Sequence, residues 1–227
     1  MSDMKGISEQ GCTIIPNVLS KKECDHLLEE LAKWTAGRSR AGVRHLMGCP
    51  AISTLAHDTR LQALAKATLM EAASPYRATL FEKTPESNWL VAWYQDTALP
   101  LKQMFISSEC GPWSKKSGII YAHAPAWALD RIVTLRIQLD SCVKDDGPLR
   151  VIPGSHRKGV LSDSDIHLIT RHEPSVECLV PQGGVLVMNP LIIHASSKSH
   201  GHTRRRVLHI EYAPASGILE NIHLAVA

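Results

Sequence analysis

Three short segments of this chain carry side chains able to do chemistry, and they lie far apart in sequence. The first is Trp93-Tyr94-Gln95-Asp96, at the end of an apolar run that starts at Trp89. Side chains alternate along a strand, so Tyr94 and Asp96 point to the same face. The second is Gly147-Pro148-Leu149-Arg150-Val151-Ile152-Pro153-Gly154-Ser155-His156. The third opens with Gly183-Gly184-Val185-Leu186-Val187-Met188, continues through Leu191-Ile192-Ile193-His194 and ends in Arg205-Arg206-Val207-Leu208-His209. Taken singly, each residue has an ordinary reading. Asp96 could cap a turn as readily as bind a metal, and His194, behind three apolar residues, could be a satisfied core histidine. Alternation separates Arg205 from Arg204 and Arg206, and at least one of the three is plain surface charge. Gly147, Pro153 and Gly154 suit turns.

In this order the segments resemble the phytanoyl-CoA dioxygenase-like proteins. The run Gly147 to His156 is similar to that family's Asn-Gly-x-x-x-x-x-Pro-Gly-Ser-His signature. Gly11 before Ile14-Ile15-Pro16, with Leu19 ahead of a helix, is similar to the family's opening, and the third segment resembles its distal-histidine strand and following arginine. The matches run over roughly residues 7 to 213. The resemblance implies an Fe(II)/2-oxoglutarate-dependent dioxygenase that uses O2 to oxidise, by default to hydroxylate, a small molecule. It implies a mainly β fold with flanking helices around a double-stranded β-helix (jelly-roll, cupin-like) core. It also implies iron held by two histidines and one carboxylate, with three positions open to cosubstrate and O2. Asp96 stands at the carboxylate position and His194 at the distal histidine. Arg205, eleven residues past His194, stands where the family's arginine grips the far carboxylate of 2-oxoglutarate as a bidentate pair. Ser196 and Arg136 match positions that assist that carboxylate and line the cosubstrate pocket.

One position departs from the pattern. The family reads Trp-His-Gln-Asp where this chain has Tyr94. Neutral imidazole suits Fe(II); a phenol must first lose a proton of pKa about 10, and the resulting phenolate favours Fe(III). Three outcomes are open: Tyr94 ligates through oxygen, another group substitutes, or two side chains alone hold the metal. His123 is the nearest candidate substitute, and His156 a poorer one because it serves the turn. The same departure motivates an alternative, a non-catalytic or altered-metal relative acting as a ligand-binding protein. Retention of Asp96 argues against a halogenase-like variant, in which a small residue frees that position for halide.

The elements that must position these residues are partly legible. Ser20-Lys21-Lys22-Glu23 is a capping box that starts a helix, with Leu27, Leu28, Leu31 and Trp34 at helical spacing and Gly37 as its end. A second helix covers about Arg60 to Glu71, and Ile7 to Val18 reads as an entry strand. From Tyr76 onward come short β-like runs at Ala78–Phe81, Trp89–Tyr94, Ile132–Leu139, Leu149–Ile152, Gly184–Met188 and Val207–Tyr212, separated by turn-forming clusters. Helices followed by many strands argue for a β-sandwich or barrel flanked by helices. The expected organisation is a single domain over 1–227, with helices of about 20–72 buttressing a β core from about 76 to 213. Leu101 to Trp127 has no clear period and reads as a long lid or binding loop.

Composition bounds the rest. With 44% apolar residues, 21% charged residues and a net charge of +3, nothing suggests a nucleic-acid or membrane-surface partner. No apolar run approaches the roughly 20 residues of a membrane span, and the polar Met1–Gln10 points to the cytoplasm. The six cysteines form no Cys-x-x-Cys pair and read as free, packed thiols. Histidines 45, 57, 167, 172, 200 and 202 fall in polar or loop contexts that suggest exposure, and Trp93, Trp113 and Trp127 read as packing residues. Substrate identity and oligomeric state are written in none of these motifs.

Overall fold

A computed structural model describes residues 5–34, 42–84, 87–105, 108–201, 204–218 and 222–227. Helix α1 (Lys5–Gln10) leads into strand β1 (Cys12–Ile15), and helices α2 (Lys21–Trp34), α3 (Pro50–Ala56) and α4 (Thr59–Leu69) follow. Then come β2 (Ala73–Lys83), β3 (Val91–Tyr94), β4 (Ala98–Leu101), β5 (Trp113–Lys116), β6 (Ile119–His123) and helix α5 (Ala126–Leu129). The chain continues through β7 (Val133–Gln138), β8 (Leu149–Val151), helix α6 (Asp163–His172), β9 (Val176–Cys178), β10 (Val185–Met188), β11 (His194–Ser196) and β12 (Arg205–Pro214). Among the described residues no helix is long and apolar enough to cross a membrane.

Two antiparallel sheets make the jelly roll: a five-stranded sheet ordered β1-β10-β7-β12-β2 and a four-stranded sheet ordered β3-β11-β8-β9. A third, smaller sheet, β4-β6-β5, stands beside them. The larger sheet is two-sided in its chemistry because side chains alternate across it. Ala78, Leu80, Val133, Leu135, Ile137, Leu208, Ile210 and Tyr212 face outward and pack on Leu27, Leu31, Ile52, Leu55 and Leu61 of α2, α3 and α4. The intervening residues Thr79, Lys83, Arg136, Arg205, His209 and Glu211 are buried and polar, and they belong to the other face. That polar inner face is the floor of the site.

Several local expectations meet the structure with corrections. Residues 7–18 are not one strand, since α1 occupies Lys5–Gln10 before β1 begins. The capping box at Ser20 is present, with Ser20 N donating to Glu23 at 2.7 Å and Glu23 N to Ser20 Oγ at 3.3 Å. Gly37 lies outside the described residues. The segment Leu101–Trp127 is not an aperiodic loop, because β5 and β6 form a hairpin that pairs with β4. Two helices, α3 and α6, come in addition to those the spacing predicts; α6 starts at a second capping box, Ser162 with Asp165. His57, His167, His172 and His200 are exposed, whereas His45 is half-buried and bonds the Tyr121 hydroxyl at 2.9 Å. His202 lies outside the described residues. All six cysteines are free, five of them buried.

Candidate active site

The Pro-Gly-Ser-His turn acts first as a positioning device. Ser155 Oγ donates to Ile152 O at 2.7 Å and accepts from Ile193 N at 2.8 Å, which fixes the residue before His194. His156 packs on Gly11 and meets Ser8 O at 3.3 Å, so the turn also anchors the N-terminal segment. Gln95 serves the opposite side: its amide donates to Leu191 O at 2.6 Å and Gly159 O at 2.8 Å, and accepts from Leu161 N at 2.9 Å. With Asp96 N donating to Pro190 O at 2.9 Å, these bonds bring the end of β3 to the start of β11.

There Asp96 and His194 meet. His194 is fully buried, and its Nδ1 lies 2.8 Å from Ile192 O. A carbonyl can only accept, so Nδ1 carries the proton and Nε2 presents a lone pair. Burial holds the ring's pKa below the ordinary value, keeping it neutral. Its Nε2 faces Oδ2 of Asp96 at 3.5 Å, and neither atom has a hydrogen-bond partner among the described residues. Two buried acceptors aimed at one another need a cation between them, and imidazole plus carboxylate is a donor set that suits a divalent transition metal.

Tyr94 is directly opposite His194 across the β3–β11 pair, its ring centroid 4.3 Å from the imidazole's. Burial and the nearby Asp96 carboxylate push its pKa above the ordinary phenol value, so the hydroxyl stays protonated. His209 is buried close by, but Arg136 Nη1 donates to its Nδ1 at 3.0 Å. Its Nε2 therefore carries the proton and offers no lone pair. His123 bonds Thr97 Oγ1 through Nδ1 at 2.6 Å on an exposed part of the wall. Among the described residues no three histidine, cysteine or carboxylate side chains converge on a metal position. The residues thus fit a metal on two donors, with a neutral phenol at the third position.

Next to this pair is a pocket rich in positive charge. Arg205, Lys83 and Arg136 border it together with Ser196 and Tyr94, and none of the three cations pairs with a carboxylate among the described residues. Register explains the assembly: Arg205 lies opposite Lys83 on β12 and β2, and Arg136 opposite His209 on β7 and β12. Arg205 donates to Gly147 O at 2.6 Å, while Ser196 Oγ accepts from Lys83 Nζ at 2.7 Å. Lys83 also donates to Ser197 O. Burial and Arg205 push the lysine pKa down to about 7. Gly147 has φ of +63°, and a Cβ there would meet Ser197 O at 2.5 Å; only glycine fits this close approach. The neighbouring arginines go elsewhere: Arg204 is 60% exposed, and Arg206 holds Asp140 at 2.7 and 2.8 Å.

A cavity of about 320 Å³ opens above the Asp96–His194 pair. Its walls include Arg77, Phe81, Tyr94, Tyr121 and His209. Arg77 is engaged by Glu211, and Glu211 Oε2 lies 3.9 Å from His209 Nε2. Sequence reasoning missed Lys83, His209, Glu211 and Arg77. The signal was there in alternation: counting inward positions from Arg205 reaches His209 and Glu211, and extending the β2 run by two residues reaches Lys83.

Comparison with known proteins agrees with this architecture. AviO1 from Streptomyces viridochromogenes Tue57 superposes with a TM-score of 0.69 at 21% identity, covering 95% of each chain. The carbocyclase SnoK of nogalamycin biosynthesis, described as non-heme and α-ketoglutarate-dependent, gives 0.73 at 16% identity over 94% of this chain and 83% of its own. HygX from Streptomyces hygroscopicus, solved with nickel and 2-oxoglutarate bound, gives 0.67 at 19% identity over 94% of this chain and 87% of its own. No curated protein matches the sequence. The family model for phytanoyl-CoA dioxygenase (PhyH) matches residues 7–207, and the chain belongs to that family.

Proposed function

We propose that this chain is an Fe(II)/2-oxoglutarate-dependent dioxygenase that uses O2 to hydroxylate a small molecule. One observation carries the reading: two buried, opposed lone pairs on Asp96 and His194 stand beside a pocket of three cations with no carboxylate partner among the described residues. The first needs a metal and the second needs a dianion of small size. Structural relatives that have been solved with iron, with nickel and with 2-oxoglutarate support the same pairing of ligands.

In this reading Asp96 and His194 are the metal ligands, and iron with its cosubstrate supplies the oxidising power. Arg205 donates to the far carboxylate of 2-oxoglutarate, in the geometry a planar guanidinium favours. Ser196 and Lys83 flank that carboxylate, and Arg136, held by His209, faces the rest of the molecule. Tyr94 packs on His194 beside the metal position. The substrate occupies the 320 Å³ cavity, which is at the small end of ligand cavities.

Tyr94 also favours a second reading, a ligand-binding relative that has lost iron chemistry. Iron and nickel binding, 2-oxoglutarate binding and succinate formation, measured on the native chain and on Tyr94→His, separate the two. Metal binding with succinate formation by the native chain supports the oxygenase. If the native chain takes up neither metal nor 2-oxoglutarate and Tyr94→His does both, the oxygenase reading of this chain fails.

A further inference from the structure

The mouth of the 320 Å³ cavity carries charge that the metal and cosubstrate do not explain. Arg44 and Lys116 line it, are exposed, and pair with no carboxylate among the described residues. Arg77, the third cation of the wall, is neutralised by Glu211 and donates its remaining group to Ala98 O at 3.1 Å. Asp96 is the one carboxylate lining the cavity among the described residues, and it belongs to the metal position. Arg44 and Lys116 are then the cavity's charges without a counter-charge among the described residues.

The arrangement at the mouth is organised around a single ring. Tyr121 is buried and its hydroxyl is held by His45 at 2.9 Å. Lys116 Nζ lies over the Tyr121 ring at 5.3 Å from its centroid, and the Arg77 guanidinium at 5.9 Å. Ring contacts of this kind restrain a lysine that would otherwise sweep through solvent. The half-buried His45 beneath them is held below its ordinary pKa first by burial and then by Arg44 and Arg77.

We infer that Arg44 and Lys116 recognise an anionic group, a phosphate or a carboxylate, carried by the substrate at the end remote from the reacting carbon. The body of such a molecule lies between Phe81 and Tyr121 and reaches Asp96. This inference rests on the oxygenase reading for the word substrate, but the anion site itself is independent of iron.

The test uses the metal-free full-length chain without 2-oxoglutarate and three probes: phenyl phosphate, benzoate and the neutral phenyl β-glucoside. Calorimetric titration is expected to show binding of at least one anion and none of the glucoside, the tighter anion naming the recognised group. Binding is expected to weaken about tenfold in Lys116→Gln and in Arg44→Gln, and to fall as salt rises, because both cations are exposed. Absence of anion binding, equal binding of the glucoside, or full binding in the double variant each overturns the inference. Nickel and 2-oxoglutarate titrations on the same samples keep the two ideas apart. Their failure with anion binding intact sinks the oxygenase reading alone; their success without anion binding sinks this inference alone.

Discussion

The ring of Tyr94 lies against that of His194, centroids 4.3 Å apart and planes tilted by 54°, on facing positions of β3 and β11. A phenol placed there, half-buried and protonated, is a packing partner for the His194 imidazole and a poor donor to a metal. Tyr94→Phe should therefore leave nickel affinity within about twofold, whereas Tyr94→His should raise it at least about tenfold, equivalent to about 1.4 kcal/mol. Calorimetric nickel titration checks both. A tenfold loss in Tyr94→Phe would mean that the phenol oxygen does ligate.

Three consecutive arginines should behave as three different residues. Arg205→Ala removes a buried charged donor and should weaken 2-oxoglutarate binding by about 1.5–3 kcal/mol, roughly 10- to 150-fold. Arg204→Ala should leave it unchanged, because that side chain is 60% exposed. Arg206→Ala should lower thermal stability through the loss of its pair with Asp140, with cosubstrate affinity retained. Equal loss of affinity in the Arg204 and Arg205 variants would show that the inward position has been misassigned.

The lysine beside Arg205 should make 2-oxoglutarate binding sensitive to pH. Lys83 is held down to about 7 in the empty pocket, and a bound dianion favours its charged form. Binding then takes up a proton above that value. Affinity for 2-oxoglutarate should be flat below about pH 7 and fall above it, by up to tenfold per pH unit. Arg205 and Arg136 stay charged throughout this range. Titrations from pH 6 to pH 8.5 should show the decline in the native chain and a flat, weaker profile in Lys83→Met. A native profile that stays flat excludes Lys83 from the ligand's surroundings.

Glu211 is 2% exposed and pairs with Arg77 behind the cavity wall. Glu211→Gln strands the guanidinium and should cost about 3–5 kcal/mol. At about 2–4 °C per kcal/mol for a chain of this size, the melting midpoint should fall by about 6–20 °C. Arg77→Met combined with Glu211→Leu should recover much of the loss, since neither charge is then stranded. A single-variant loss below about 1 kcal/mol would place the pair among weak surface contacts.

Much of the site was legible in the sequence because strand alternation is local. It separates Arg205 from Arg204 and Arg206, and it puts Tyr94 and Asp96 on one face, without reference to any partner strand. The Ser20 capping box is local in the same sense. The misses have the opposite character. Lys83 lies at the end of a strand longer than its apolar run, and its role comes from register with Arg205 across β2 and β12. The β4-β6-β5 sheet has short, mixed strands with no period to read, yet it supplies Tyr121 and Lys116 to the cavity mouth.

By itself the sequence determined which donors this chain owns and that imidazole is missing beside Asp96, because identity at a motif position is a covalent fact. Only the tertiary structure decided that, among the described residues, no other histidine makes good the loss. His209 is spent on Arg136 and His123 is bonded to Thr97, and both pairings depend on sheet register and loop packing between residues distant in the chain. The same packing turns the lone pairs of Asp96 and His194 toward each other at 3.5 Å.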